Sequence, residues 1–353
     1  MKKSLLAVAV AAALPVFAQA QTNVTLYGIA DAAVGFADRG ASTSNAFRVD
    51  SGVQSVSRFG LRGTEDLGGG LKAVFNLEAG YKQDDGTAEA SGAGLFQRRA
   101  VVGLEGGFGT VLLGRDYTPG FTAGGTTDVM GYGLWGNWLT YTVAGALNGN
   151  NWGIQTRASN GIHYVSPVIA GGLRIRAMYS SGERDVAPKS AGNVLGLAAT
   201  YGAGPLTAQA YYHQFKRAVG TDAVSDKQMG LGAGYNFGMF RIAGSYNVAD
   251  PDGANNKHTG YNLGVGVKLG AGELLGQVIQ QKVSTGGTDP KATTFGIAYT
   301  QPLSKRTNVY ATYGQTRNNS TGAFSLRASD ITIAPVVAGD DPKAFSVGLR
   351  HMF

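Results

Sequence analysis

The chain has 353 residues, 55 of them glycine, with no cysteine, 15% charged residues and a net charge of +7. Glycine is more than twice its usual share of about 7%, but it follows no three-residue period and proline numbers only 10, which excludes collagen. The lack of cysteine excludes disulfide frameworks, thiol nucleophiles, zinc ribbons and iron–sulfur sites, and 43% hydrophobic with 10% aromatic residues argues against general disorder.

Met1-Lys2-Lys3 is a short cationic start, residues 5–16 are apolar apart from Pro15, and Ala18-Gln19-Ala20 fits a small-x-small cleavage site. Residues 1–20 read as a secretory signal peptide, which leaves residues 21–353 as the mature chain, starting at Gln21. About 14 apolar residues are too few for a membrane anchor, and no later stretch offers 18 in a row. An exported chain without a transmembrane helix is periplasmic, secreted or a barrel, because only helices and closed barrels satisfy every backbone group in lipid.

The mature chain alternates with a period of two. In residues 24–36, Val24, Leu26, Ala30, Ala32, Val34 and Phe36 share one face, against Thr25, Tyr27, Asp31 and Gly35. In residues 71–81, Leu71, Ala73, Phe75, Leu77, Ala79 and Tyr81 oppose Lys72, Asn76 and Glu78. The same pattern returns at 173–179, at 228–237 and at 345–353. Strands of about 9–12 residues suit tilted bilayer crossings, whereas sandwich strands run about 5–6. Tyr27, Tyr81, Tyr179, Tyr201, Tyr235 and Tyr299 fall at strand ends, where aromatic girdles belong.

Short turns are predicted at 66–70, 106–109, 166–167, 202–205, 238, 270–272 and 302–304. Longer polar loops are predicted near 39–56, 82–95, 117–156, 180–192, 215–226, 247–257, 283–291 and 317–342. These fifteen connections imply sixteen strands, short-turned on one side and long-looped on the other. The fold expected is an all-β transmembrane antiparallel barrel occupying residues 21–353. Phe353 closes an alternating strand in phase with Phe345, where the barrel-insertion machinery is expected to read a terminal aromatic.

Several stretches resemble the general Gram-negative porins of the betaproteobacterial and neisserial branch. They are Val24-Thr25-Leu26-Tyr27-Gly28, the run 57–73 (SRFGLRGTEDLGGGLKA), the run 108–115 (FGTVLLGR), the run 160–167 (NGIHYVSP), and Leu303-Ser304-Lys305-Arg306-Thr307 followed by Tyr310-Ala311-Thr312-Tyr313. The likeness runs the length of the mature chain, although 180–192, 247–257 and 317–342 look private. It implies an outer-membrane homotrimer of sixteen-stranded barrels, with the second loop latching into a neighbour. It also implies passage of small hydrophilic solutes through a channel narrowed by the third loop.

The 117–156 loop is the longest predicted and carries Trp135, Trp138 and Trp152, so it is expected to fold into the lumen. Alternation assigns Arg58, Arg62, Lys72, Arg99, Arg157, Arg174 and Arg176 to the lumen, against Asp31, Glu78 and Glu105. Such a cationic lumen suits anionic or neutral hydrophilic solutes. In the branch resembled, basic residues on the wall opposite the third loop govern selectivity. On that basis Arg58, Arg99 and Arg157 are expected at the constriction, with Glu78 orienting them and Asp128 as an acidic counterpart on the loop. Arg62, near Glu65-Asp66, fits a vestibule equally well.

Other functions find less support. The four histidines, His163, His213, His258 and His351, lie in no Gly-x-Ser-x-Gly or His-Glu-x-x-His context, so no enzyme and no cofactor is expected. Residues 250–256 imitate a calcium loop, but Ala254 replaces a ligand and no spaced Glu follows, so no metal is expected. A net excess of +5 after loss of Lys2 and Lys3, with no basic run, argues against nucleic acid. A substrate-specific channel or an adhesin stays open; lumen-phase glycines, read as open space, argue against a plugged barrel.

Overall fold

The computed structural model describes residues 23–41, 45–89, 94–142, 156–252 and 256–353. The signal peptide, the Gln21 start and Trp152 lie outside them. Sixteen barrel positions follow in chain order. They are β1 (Asn23–Asp38), β2 (Ala46–Ser51 and Arg58–Gly68, interrupted by 52–57), β3 (Leu71–Gly80), β4 (Arg99–Gly106), β5 (Gly109–Tyr117) and β6 (Arg157–Val165). Next come β7 (Leu173–Ser180), β8 (Val194–Ala203), β9 (Leu206–Val219), β10 (Asp222–Asn236) and β11 (Phe240–Asp250). Last come β12 (Lys257–Leu269), β13 (Gly272–Ser284), β14 (Lys291–Pro302), β15 (Thr307–Asn318) and β16 (Lys343–Met352). Each strand pairs antiparallel with the next, and β1 pairs with β16 from Ile29↔Met352 to Asp38↔Lys343, so the sheet closes and leaves no edge.

Alternation sorts the side chains as a membrane requires. Val102, Leu113, Leu231 and Leu263 are more than half exposed on the outer face. On a closed barrel such an apolar belt is a lipid-facing surface, the inverse of a soluble sandwich. Inner-face positions carry Asn247, Asn262, Gln277, Thr294, Thr316 and Ser346, all buried. They are buried because chain folds inward over them.

That chain is chiefly the third loop, which enters the lumen as expected. Helix α1 (Pro119–Gly124) has proline in its first turn, and its capping Thr118 hydroxyl accepts the Phe121 N–H. It lies against β8, β9 and β10, where Gly120 N–H donates to His213 Nε2 at 2.8 Å. After a 3-10 turn (Gly125–Thr127) the chain crosses to the opposite wall. There Trp135, wholly buried, donates from Nε1 to Ser346 Oγ at 2.9 Å. Trp138 and Tyr141, the latter in the one-turn α2 (Leu139–Thr142), stack with centroids 4.4 Å apart. A Cβ on Gly296 or Gly314 would collide with Trp135, one on Gly264 with Val129 and one on Gly260 with Tyr141. These lumen-phase glycines are therefore seats for the loop, a correction to their reading as open space.

Three predicted loops change. Residues 46–51 of the first loop form a strand, and 52–57 dip inward with Val53 wholly buried. The loop expected at 215–226 is instead the far end of β9 and β10, joined by Gly220-Thr221 alone. Cross-strand pairs there, such as Arg217–Asp226 at 2.9 Å, are polar, which hid the strand from a hydrophobic pattern. Residues 319–342 fold inward, burying Phe324, Leu326, Ala328, Ile331 and Ile333 around a small ladder of Leu326–Arg327 with Thr332–Ile333.

Candidate channel constriction

A cavity of about 480 Å³ lies between the third loop and the wall, and Arg58, Arg98, Arg157 and Arg327 line it with Glu89 and Asp330. Three inward segments build its rim. Ser329 N–H donates to Val53 O, Gly136 N–H to Arg327 O and Val56 N–H to Ser329 Oγ, which knits the first, third and last loops together.

Arg58 opens the second segment of β2, its Nε donating to Val56 O at 3.0 Å and its Nη1 lying 3.8 Å from Glu78 Oε1. Arg98 precedes β4, free of strand alternation, and turns inward. Its guanidinium donates to Glu78 at 2.7 Å, to Glu89 at 2.8 Å and to the Tyr117 hydroxyl at 2.9 Å, and it is only 3% exposed. Glu78 lies beside both arginines, and Arg98 rather than Arg58 is its close partner.

Arg157 reaches the same cavity by a different route from that expected. A bulge at Ser159 and Asn160 (Asn160 φ 54°) shifts the β5–β6 register, so Asp116 pairs with Ala158 and the lumen phase carried from His163 breaks. Arg157 comes in at the strand mouth, its guanidinium 4.5 Å over the Tyr117 ring and 2.9 Å from the Tyr117 hydroxyl. Tyr117 in turn stacks on Phe121, and Phe121 on Tyr132, so the third loop carries the cluster's footing.

Arg99 does not join this cavity. It forms a bidentate pair with Asp116 at 2.8 and 2.7 Å and borders a recess of about 210 Å³ with His163 and Arg176. That recess shares Tyr117 with the main cavity. It shares Arg99 and Leu112 with a third recess of about 400 Å³ near the short turns, where Arg62 and Glu105 lie. Arg62 sits 5.2 Å over the Tyr27 ring, and Lys72 meets Glu105 at 3.5 Å with both about half exposed, so these three belong to a turn-side vestibule. Arg174 faces inward opposite Thr200, also toward the turns.

Two acidic expectations and one aromatic one are corrected. Asp128 is buried and, among the described residues, makes no ion pair with an arginine. Its carboxylate accepts from the N–H groups of Met130, Tyr132 and Trp138 and from Gln277 Nε2, which ties the loop to β13. Asp31 points inward but is sealed, accepting from Tyr310 Oη at 2.6 Å and Ser55 N–H at 2.7 Å. Tyr27 is no girdle residue; its hydroxyl meets Glu78 and Asn76 inside.

Arg98, Glu89, Arg327 and Asp330 went unread in the sequence, since no periodicity governs them. Arg241 also faces inward, pairing with Glu273 at 2.8 Å and holding Val129 O at 3.2 Å. Arg350, opposite Asp31, was legible from alternation with Phe345 and Leu349. Among loop groups, burial and the nearby Glu89 push the Asp330 carboxyl up to about 7, against Lys82, Arg98 and Arg327.

Phe353 runs alongside β1, exchanging backbone hydrogen bonds with Gly28, its ring outside the barrel and about half exposed.

A profile of Gram-negative porins matches residues 7–321. Outer membrane porin protein 32 of Delftia acidovorans is 36% identical over 370 residues, covering all of both chains. The solved anion-selective porin from Comamonas acidovorans superimposes with a TM-score of 0.82 at 33% identity, over 94% of this chain and all of that one. The trimer form of OmpT, an outer membrane protein of Vibrio cholerae, shares the fold, with a TM-score of 0.68 at 17% identity over 94% of this chain and 99% of its own. With the family profile matched over most of its length and a relative 36% identical over the whole of both chains, the chain belongs to the family of Gram-negative porins.

Proposed function

We propose that this outer-membrane porin is an anion-selective, passive diffusion channel with no catalytic step and no cofactor. The observation that supports this best is the charge balance of the 480 Å³ cavity. Four arginines, Arg58, Arg98, Arg157 and Arg327, line it against Glu89 and Asp330; Arg98 also takes up Glu78, the Arg157 guanidinium lies over the Tyr117 ring, and the Arg327 carbonyl accepts from Gly136 N–H. Arginine stays charged at any working pH and its planar group is held rigidly. Fixed cations between low-dielectric walls concentrate anions along the pore. Arg176 and Arg62 extend the track toward the turns, where Asp116 offsets Arg99 and Glu105 offsets Lys72. An anion-selective porin among its relatives agrees with this reading.

The chain is further read as exported by cleavage after Ala20, inserted by machinery that recognises Phe353, and assembled as a homotrimer amid outer-membrane lipid and lipopolysaccharide. The trimeric relative supports the assembly. The test is the zero-current potential of the purified protein in a planar bilayer under a KCl gradient. A chloride-permeable sign is expected; a potassium-permeable sign overturns the selectivity and leaves the channel.

A further inference from the structure

The cavity at the constriction has two unlike sides. The third loop supplies one of them, because Tyr117, Phe121, Tyr132 and Leu139 border the same 480 Å³ that the arginines line. The three aromatic residues stay partly exposed there. Fixed cations alone are enough to concentrate small anions, so charge selection does not account for the aromatic side.

Stacking decides what these rings show. Phe121 stacks on Tyr117, with centroids 5.3 Å apart and planes 6° from parallel, and on Tyr132 at 4.5 Å. Tyr117 also carries the Arg157 guanidinium at 4.5 Å. Faces engaged in this stack are closed to a solute, so Tyr117 and Phe121 turn their edges to the cavity. A ring edge is the positive end of the aromatic quadrupole, and it attracts a carboxylate oxygen or the face of another ring.

Tyr117 adds a polar handle. Its Oη accepts from Arg98 Nη2 and from Arg157 Nη2, each at 2.9 Å. A phenol oxygen has two lone pairs and one proton. Both lone pairs are taken, so the proton is left to donate, and no acceptor for it stands among the described residues. Two guanidinium groups thus hold an O–H donor beside the fixed charge of the cavity.

We propose that this cavity is a binding site for aromatic monocarboxylates, of which benzoate is the simplest. The carboxylate accepts from Tyr117 Oη and meets the arginine charge, and the ring lies against the edge of Phe121, beside Tyr132 and Leu139. Chloride would use the cationic side alone, and an aliphatic acid would forgo the quadrupole. Sites that select small molecules pair an apolar lining with a few placed polar groups, as here. The assignment rests on the anion-channel reading above and names the solute class retained at that same constriction.

The test is block of chloride current through the purified protein in a planar bilayer at about pH 8, where benzoate, cyclohexanecarboxylate and acetate are all ionised. The two ring acids match in charge and closely in size, so the quadrupole sets them apart. An edge-to-face contact is worth about fivefold in affinity. Benzoate should therefore half-block the current at a concentration about fivefold below cyclohexanecarboxylate, with acetate weaker still. Phe121→Leu should bring the two ring acids level. Tyr117→Phe should weaken both alike, by about fivefold, and keep their ratio, a split that general loosening of the loop would not produce. Equal block by the two ring acids in the parent protein overturns the proposal, as does acetate blocking as tightly as benzoate. A preference for benzoate that survives Phe121→Leu overturns it as well. Potassium preference in the KCl gradient, measured before any acid is added, would instead overturn the anion-channel reading.

Discussion

Replacing Arg157 with glutamine removes one charge from the constriction while leaving its scaffold. Tyr117 keeps its hydrogen bond from Arg98 at 2.9 Å and its stacking on Phe121, so the ring should hold its place. A unit charge about 5 Å from a passing ion is worth ~0.8 kcal/mol at the permittivity of water, and ~0.5 kcal/mol once 0.1 M salt screens it. That raises anion occupancy and lowers cation occupancy by about 2.3-fold each, so Arg157→Gln should reduce the chloride-to-potassium permeability ratio about fivefold. The readout is the zero-current potential of the variant against its parent under the same KCl gradient, with heat stability as a control. A ratio unchanged within twofold would refute the argument that this cluster sets the sign of the channel. Arg98→Met makes the contrast. It leaves the buried Glu78 and the half-buried Glu89 without their guanidinium, and should destabilise the barrel by ~3–5 kcal/mol.

Asp330, with its carboxyl raised to about 7 by burial and Glu89, is ionised above that pH and neutral below it. Acidification through this range therefore removes a negative charge from the cavity and should increase anion preference about twofold or more; Asp330→Asn should abolish that dependence, and a pH-independent parent refutes the assignment. Asp128→Asn should leave ion selectivity unchanged, because its carboxylate meets only N–H donors, yet weaken the seating of the third loop by ~1–3 kcal/mol, read as a lower melting temperature. Trp135→Ala should empty the seat on Gly296 and Gly314, destabilise by ~3–5 kcal/mol and enlarge unit conductance; unaltered conductance would show that the loop is held elsewhere.

Period-two alternation was enough to read the antiparallel barrel and its sixteen strands, because one buried or lipid-facing row fixes the phase of each strand. The signal fails wherever that constraint lapses. Arg98 stands one residue before β4 and Arg157 just beyond a bulge, so both escape the pattern although both reach the constriction. Arg327 and Asp330 lie in a loop whose path is set by contacts with Val53 and Gly136, far away in sequence. Asp31 is sealed under loop chain, and that cover cannot be read from alternation, which gives direction alone; Asp128 lies in a loop, where no alternation applies.

The hairpin of β9 and β10 is 14 and 15 residues long and turns through two residues. At about 3.4 Å per residue it measures roughly 48 Å along the strand. Tilted by about 45°, that is roughly 34 Å of height, whereas the apolar band of such barrels is about 25 Å tall. The cell exterior thus meets a stiff β-ribbon standing above the lipid on one flank, fastened across its two strands by Arg217 and Asp226. A foreign peptide inserted between Gly220 and Thr221 would be carried clear of the surface on a rigid stalk, with its two ends already held at hairpin spacing.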